Sequence, residues 1–217
     1  MVLTAVELRG VTRLFDGLPA VSQVTLQVAA GEALWLCGSN GSGKSTLLRL
    51  LATALSPTFG AGSVLGFDLV RERDDIRERL ELLGHQARFY GELTAAENLR
   101  FVCDLHGLAR RGVGAALERV GLDEVAAVRV ASFSQGMRQR LALARCLMRD
   151  PEVILLDEPY AGLDVDARVL VDGLMADAAR RGRTVVLASH EAPAAGTVDR
   201  RVFLHAGRLT PTEVAPR

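Results

Sequence analysis

The period of the apolar residues changes several times along the chain, and each change predicts an element. Near the start, the runs "AVELRGVTRLF" and "VSQVTLQVAAG" are β-rich and separated by "DGLP". The turn residues between them predict a pair of antiparallel strands. Next comes "EALWLCG", a short apolar run that reads as a buried strand, and then "KSTLLRLLATAL", a helix on which Leu47, Leu48, Leu51 and Leu55 share a face. Residues 92–122 are rich in helix formers. There "LTAAENLRFVCDLHGL" begins with Thr94 three residues before Glu97, the signature of a capping box. A further helix runs through "QGMRQRLALARCLMRDP", with Ser134 at its N-cap, Met137, Leu141, Ala144 and Met148 on one face, and Pro151 closing it.

From Glu152 the strands return: "EVILLDEP", a helix through "DARVLVDGLMADAARRG", "TVVLASH", and a last strand near "RRVFLHAG". Strands alternating with helices predict an α/β fold, a parallel sheet flanked by helices, with an antiparallel β layer before it. The chain, residues 1–217, reads as one domain: 1–85 and 149–217 supply the β layer and core, and 86–148 an inserted helical subdomain. The charged stretch "RERDDIRERLE" reads as a solvated helix laced with i,i+4 ion pairs such as Asp75 with Arg79.

Charge narrows the classes of partner. The 26 basic and 26 acidic residues cancel, so no positive field recruits nucleic acid, and none is expected as a partner. Apolar residues make up 49%, yet no apolar run approaches the ~18 residues of a membrane span. The start, "MVLTAVELRGV", has no basic region followed by an apolar core, which predicts a cytoplasmic protein. Cys37, Cys103 and Cys146 lie far apart without metal-site spacing and read as small buried hydrophobes.

Chemistry enters at "GSNGSGKS", which fits G-x-x-x-x-G-K-[ST] with a strand before it and a helix after it. Along Gly38, Ser39, Asn40, Gly41, Ser42, Gly43, Lys44, Ser45 and Thr46, glycines let backbone N–H groups curl around phosphates, and the helix N-terminus adds positive partial charge. Lys44 is expected to reach the β- and γ-phosphates of ATP, and the Ser45 hydroxyl to ligate Mg²⁺. "VILLDEP" is an apolar strand ending in two acids, at the strand end where ligands of α/β sheets gather. Neighbouring side chains on a strand point apart, so Asp157 is assigned to the Mg²⁺ shell and Glu158 to the attacking water as general base. A second phosphate-seeking helix start, Ser134, Gln135 and Gly136 in "FSQGMRQR", has no lysine of its own. It would serve a phosphate if a separate loop, on a second copy of the chain, supplied the rest.

The set "GSNGSGKST", Gln86, "FSQGMRQR", "VILLDEP", "AGLD" and "ASH", in that order, resembles the ATP-binding subunit of ABC transporters across nearly the whole chain. The resemblance implies a P-loop ABC-type ATPase fold, ATP hydrolysis coupled to transport, and a head-to-tail dimer in which Ser134 acts in trans. By the same resemblance, Phe15 stacks on adenine, although read locally it is also a candidate core residue. Gln86 touches Mg²⁺ and senses the membrane partner. Asp164 links the two sites, with a helix N-cap as its local alternative, and His190 holds the γ-phosphate. Departures are Phe133, Gln135 and Met137 against the common L-S-G-G-Q, "AGLD" against S-A-L-D, and Phe15 against a frequent tyrosine. The chain ends soon after its last strand, so its membrane domain is expected on separate subunits, with this chain peripheral on the cytoplasmic side of the inner membrane.

Within the family, "LLGHQARFYGELTAAENLRF" is similar to the ATP-binding subunit of the cytochrome c maturation haem exporter. Drug, polysaccharide and lipid exporters share parts of the pattern and form the alternative. A soluble, non-transport ABC ATPase is disfavoured by the single phosphate loop, the absence of sustained heptads and of C-x-x-C, and the balanced charge.

Overall fold

The computed structural model describes residues 3–84, 89–161 and 165–210, with the backbone alone for 165–167. The chain divides into two compact units, one of residues 1–82, 151–159 and 175–217 and the other of residues 83–150 and 160–174. Its elements up to the helical region are β1 (Thr4–Phe15), β2 (Leu18–Ala29), β3 (Ala33–Cys37), α1 (Lys44–Leu51), β4 (Phe59–Val64), β5 (Phe67–Asp68), α2 (Arg73–Arg79) and β6 (Leu80–Leu83). Helices α3 (Ala95–His106), α4 (Val113–Arg119) and α5 (Gln135–Arg149) follow, then β7 (Val153–Asp157), α6 (Val165–Arg180), β8 (Thr184–Ala188), β9 (Arg200–His205) and β10 (Arg208–Thr210).

In the first unit β1 and β2 pair antiparallel through Phe15 and Leu18. Asp16 and Gly17, at φ 49 and 81, make the tight turn that the "DG" pair predicts. These strands join β4 and β5 in a sheet of order β2-β1-β4-β5. The second sheet has the order β10-β9-β3-β8-β7-β6, with β3 parallel to β8 and β9, and β7 parallel to β8. Strands β7 and β8 are buried at every position, the pattern of a sheet covered on both faces.

Helix α1 buries more than the single face its spacing predicts: Leu47, Leu48, Leu50 and Leu51 are all fully enclosed, and Leu55 beyond its end is half-buried. Apolar residues of both sheets, Val11, Val24, Leu36 and Val186 among them, share one core with it. Each such side chain contributes about 1.5–3 kcal/mol of transfer free energy, so this packing fixes the strand ends relative to the helix start.

Helix α2 has the solvated face its charge predicts, with Asp74, Asp75, Arg77 and Glu78 exposed, and adds one buried residue. The expected Asp75–Arg79 pair forms at 3.8 Å, but Ile76 is fully buried. Arg77 Nε donates to Thr53 Oγ1 at 2.9 Å, Arg73 donates to Ser56 Oγ, and Arg79 stacks over Phe67 at 4.8 Å. Three of the arginines thus have inward partners, two of them on the loop that follows α1.

In the second unit the Thr94 capping box is complete, with Glu97 N donating to Thr94 Oγ1 at 3.2 Å and Thr94 N to Glu97 Oε2 at 2.8 Å. Asn98, 2% exposed, fixes the preceding turn: its Nδ2 donates to the carbonyls of Tyr90, Leu93 and Thr94, and its Oδ1 accepts from Tyr90 N. Helix α5 buries Leu141 and Ala144 as expected, with Ala142, Leu143 and Cys146 beside them, while Met137 and Met148 are half-buried. All three cysteines are buried and none is in a disulfide.

Candidate nucleotide site

Three parallel strands end side by side, and the chemistry lies at or just beyond their ends. The register places Leu36 opposite Ala188, and Ala188 opposite Asp157, so the chain leaves β3, β7 and β8 at a common edge. From there it continues into the phosphate loop, into Glu158 and into Ser189–His190. Carboxyl ends of strands in open α/β sheets are where ligands gather.

The phosphate loop is shaped by Gly43. It stands at φ 106 as the N-cap of α1, and a Cβ there would lie 2.3 Å from the Ala20 carbonyl oxygen. Only glycine fits this backbone and this approach. Having no side chain, Gly43 also leaves the first N–H groups of α1 without a side-chain cap. Ser39, Asn40 and Gly41 form the exposed crest, while Ser42 is buried and its Oγ has no hydrogen-bond partner among the described residues. Lys44, 5% exposed, donates from Nζ to Gly38 O at 2.7 Å and Ser39 O at 3.3 Å.

The acids are held differently, though not by alternation on a strand, because β7 ends at Asp157 and Glu158 lies just beyond it. Asp157 accepts from Ser45 Oγ at 2.8 Å. Burial pushes its carboxyl above the ordinary range, against the Ser45 hydrogen bond and the positive charge of Arg49. A hydroxyl paired with a buried carboxylate is a hard-oxygen pair suited to Mg²⁺. Glu158 turns away at φ 49, its N–H donating to Ala188 O at 2.8 Å. Its Oε1 lies 3.2 Å from Lys44 Nζ, a buried ion pair. Its Oε2 accepts from His190 N at 3.2 Å and lies 2.8 Å from His190 Nδ1. Burial raises the Glu158 carboxyl, but the contacts from His190 and Lys44 outweigh it and hold the group below the ordinary range.

Phe15 is 42% exposed, so it is not the core phenylalanine of its local reading. Sequence reasoning missed its neighbour Arg13, whose guanidinium lies 4.6 Å from the Phe15 ring centroid while its Nη1 donates to Ser56 O. The i,i+2 spacing on one face of β1 was the available signal. In the second unit Ser134 Oγ accepts from Met137 N at 3.2 Å and caps α5, with Gln135 exposed and Gly136 half-exposed beside it. Gln86 and Asp164 lie outside the described residues.

Comparison with known proteins identifies the family and the fold. The family model described as ABC transporter matches residues 21–161. The chain belongs to the ABC transporter family as one of its ATP-binding subunits. It is 35% identical over 196 residues to the ABC transporter ATP-binding protein NatA of Bacillus subtilis, covering 88% of this chain and 80% of that one. To the cytochrome c biogenesis ATP-binding export protein CcmA of Xanthomonas oryzae pv. oryzae it is 39% identical over 186 residues, covering 85% and 86%. The fold superposes with a TM-score of 0.87, at 26% identity and covering 96% and 98% of the chains, on a dimeric post-hydrolysis structure of the ATP-binding cassette MJ0796 bound to ADP and Pi. The architecture is that of a P-loop ABC-type ATPase.

Proposed function

We propose that this chain is the ATP-hydrolysing subunit of an ABC exporter that supplies haem for c-type cytochrome assembly. The convergence of Lys44, Glu158 and His190 at one strand edge, with the Glu158 carboxylate held between the Lys44 ammonium and the His190 ring, carries the hydrolytic part. In this reading the N–H groups at the start of α1 and the Lys44 ammonium bind the phosphates, and Phe15 stacks on the adenine. Lys44 exchanges its contacts with Gly38, Ser39 and Glu158 for γ-phosphate oxygens. Glu158 then takes the proton of the attacking water, and His190 orients Glu158 and reaches the γ-phosphate. Ser45 and Asp157 would hold Mg²⁺, with Gln86 as a further ligand; the ion supplies charge neutralisation on the phosphates.

Ser134, Gln135 and Gly136 complete the site of a second copy in a head-to-tail dimer, and Asp164 links the two sites. Closure around ATP and reopening after hydrolysis drive separate membrane subunits, as two states biased by a ligand that favours the closed one. The subunit is peripheral, on the cytoplasmic side of the inner membrane. Among the described residues no helix is long and apolar enough to cross a membrane. The haem assignment is supported by the "GHQ…LTA…ENL" stretch and by the similarity to CcmA. The equally broad match to the ABC transporter protein NatA favours, as a second reading, a subunit of another ABC transporter, for which we take an exporter of drug, polysaccharide or lipid type.

Covalent haem in c-type cytochromes, stained after denaturing electrophoresis, separates the two. Cells lacking the gene should lose the stain and regain it with the wild-type chain but not with Glu158→Gln. An unchanged stain in cells that make such cytochromes would assign the protein to another exporter.

A further inference from the structure

The chain has one tryptophan, Trp35, in the middle of β3. Its register partner on the parallel strand β8 is Leu187, yet its indole leans toward the carboxyl edge and Nε1 donates to Ser189 O at 3.1 Å. On the other side its ring faces the guanidinium of Arg201, 5.9 Å from the centroid, which also lies 4.9 Å over Phe203. Arg201 is also its register partner on β9. The indole is therefore held by neighbours on both flanking strands.

What it holds matters more. The peptide group joining Ser189 to His190 accepts the Trp35 N–H at its carbonyl and donates its own N–H to Glu158 Oε2 at 3.2 Å. The same Glu158 oxygen lies 2.8 Å from His190 Nδ1. One peptide plane thus connects the indole to the carboxylate, and a donor at the carbonyl polarises the N–H beyond it. Ser189, 1% exposed, is fixed on its other side, its N–H donating to Leu36 O at 3.3 Å and its Oγ accepting from Glu191 N at 3.0 Å.

We infer that Trp35 is a positioning residue for hydrolysis: its indole N–H fixes the Ser189–His190 peptide, and through it the orientation of His190 against Glu158. Trp35 touches neither nucleotide nor water in this account. The inference rests on the proposed roles of Glu158 and His190. Phenylalanine keeps one aromatic ring but removes the N–H together with the second ring of the indole, so the comparison with the His190→Ala background is what separates the hydrogen bond from lost packing.

With the purified full-length chain, Trp35→Phe should lower kcat about five-fold, the loss of one buried hydrogen bond, and change the KM for ATP less than about two-fold. In a His190→Ala background the same substitution should lower kcat no further, because the positioned group is gone. Wild-type kcat in Trp35→Phe, or an equal loss in both backgrounds, overturns the inference while leaving the hydrolytic reading in place. Undiminished turnover in His190→Ala overturns both. A second measurement uses the native side chain: the sole indole ¹⁵N–H resonance should move on His190→Ala and on Glu158→Gln, and should stay in place on Asp104→Asn in the second unit. An indole resonance indifferent to both site substitutions would also overturn it.

Discussion

The two helix starts proposed to meet phosphate, at α1 and α5, are built in opposite ways. At α1 the N-cap is Gly43, which offers no side chain and leaves the backbone N–H groups to an incoming anion, with Lys44 next in the chain. At α5 the N-cap is Ser134, whose Oγ already accepts the Met137 N–H, and no lysine follows it. The first start is thus built around a ligand, whereas the second is complete as a helix and has only a few donors to lend. This difference is the physical sense in which one loop can define a nucleotide site and the other can only supplement one.

The sharpest way to break the comparison is to add one methyl group at each start. Gly43→Ala places a Cβ 2.3 Å from Ala20 O at φ 106, which should cost about 3 kcal/mol or more and abolish ATP binding, read by thermal melting and nucleotide titration. Gly136→Ala meets only Ser134 Oγ at 3.9 Å, so it should leave stability unchanged within about 0.5 kcal/mol while slowing turnover by the dimer. Equal losses of stability at the two positions would erase the distinction.

Next in size is the chemistry at the strand ends. Glu158→Gln should lower kcat by about 10²-fold or more and preserve ATP binding, because the amide cannot accept the proton of water. Turnover at the wild-type rate would remove Glu158 as general base. A smaller effect tests the second start: Ser134→Ala removes a side-chain cap and should destabilise the protein by about 1 kcal/mol, with nucleotide affinity of the isolated chain unaltered.

The two adjacent acids also differ in the sign of their pH dependence. Glu158 is held below its ordinary value of 4.5, so its ionisation stabilises the fold above that value, and this contribution is lost as the pH falls through the lower folded value. Asp157 is raised above its ordinary 3.8, so its ionisation opposes folding as the pH rises through and beyond that range. In acid-unfolding curves Glu158→Gln should therefore narrow its deficit on acidification, and Asp157→Asn should gain relative to wild type toward neutrality. The smallest expected signal concerns Cys37, whose thiol burial pushes up to about 11 despite the nearby charges of Arg201 and Lys44. Alkylation of the native chain at pH 8 should be far slower at Cys37 than in the unfolded chain.

Local signals made much of this legible before any tertiary contact was known. The Asp16–Gly17 turn, the Thr94 capping box and the Ser134 cap each depend on residues within a few positions, and the structure has all three. The phosphate loop was equally plain, because its function lies in backbone conformation that glycine spacing dictates. Less legible were the short strands β4, β5, β6 and β10, whose pairing comes from partners distant in sequence. In helix α2 the exposed charge and the Asp75–Arg79 pair were legible, while Thr53 and Ser56, which receive two of its arginines, are identified only by packing.

The sequence by itself determined which chemical groups the protein has and the order in which strands and loops deliver them. It foretold that Asp157 and Glu158 diverge, but by strand alternation, whereas β7 ends at Asp157 and the left-handed backbone of Glu158 turns it away. Only the tertiary structure decided which groups meet. The pairing of β3, β8 and β7 set Lys44, Glu158 and His190 at one edge, and the lean of Trp35 across two residues of β8 tied the indole to their peptide. Periodicity records which face of an element is buried, but it carries no register between strands more than a hundred residues apart. That register is fixed by the shared core beneath them.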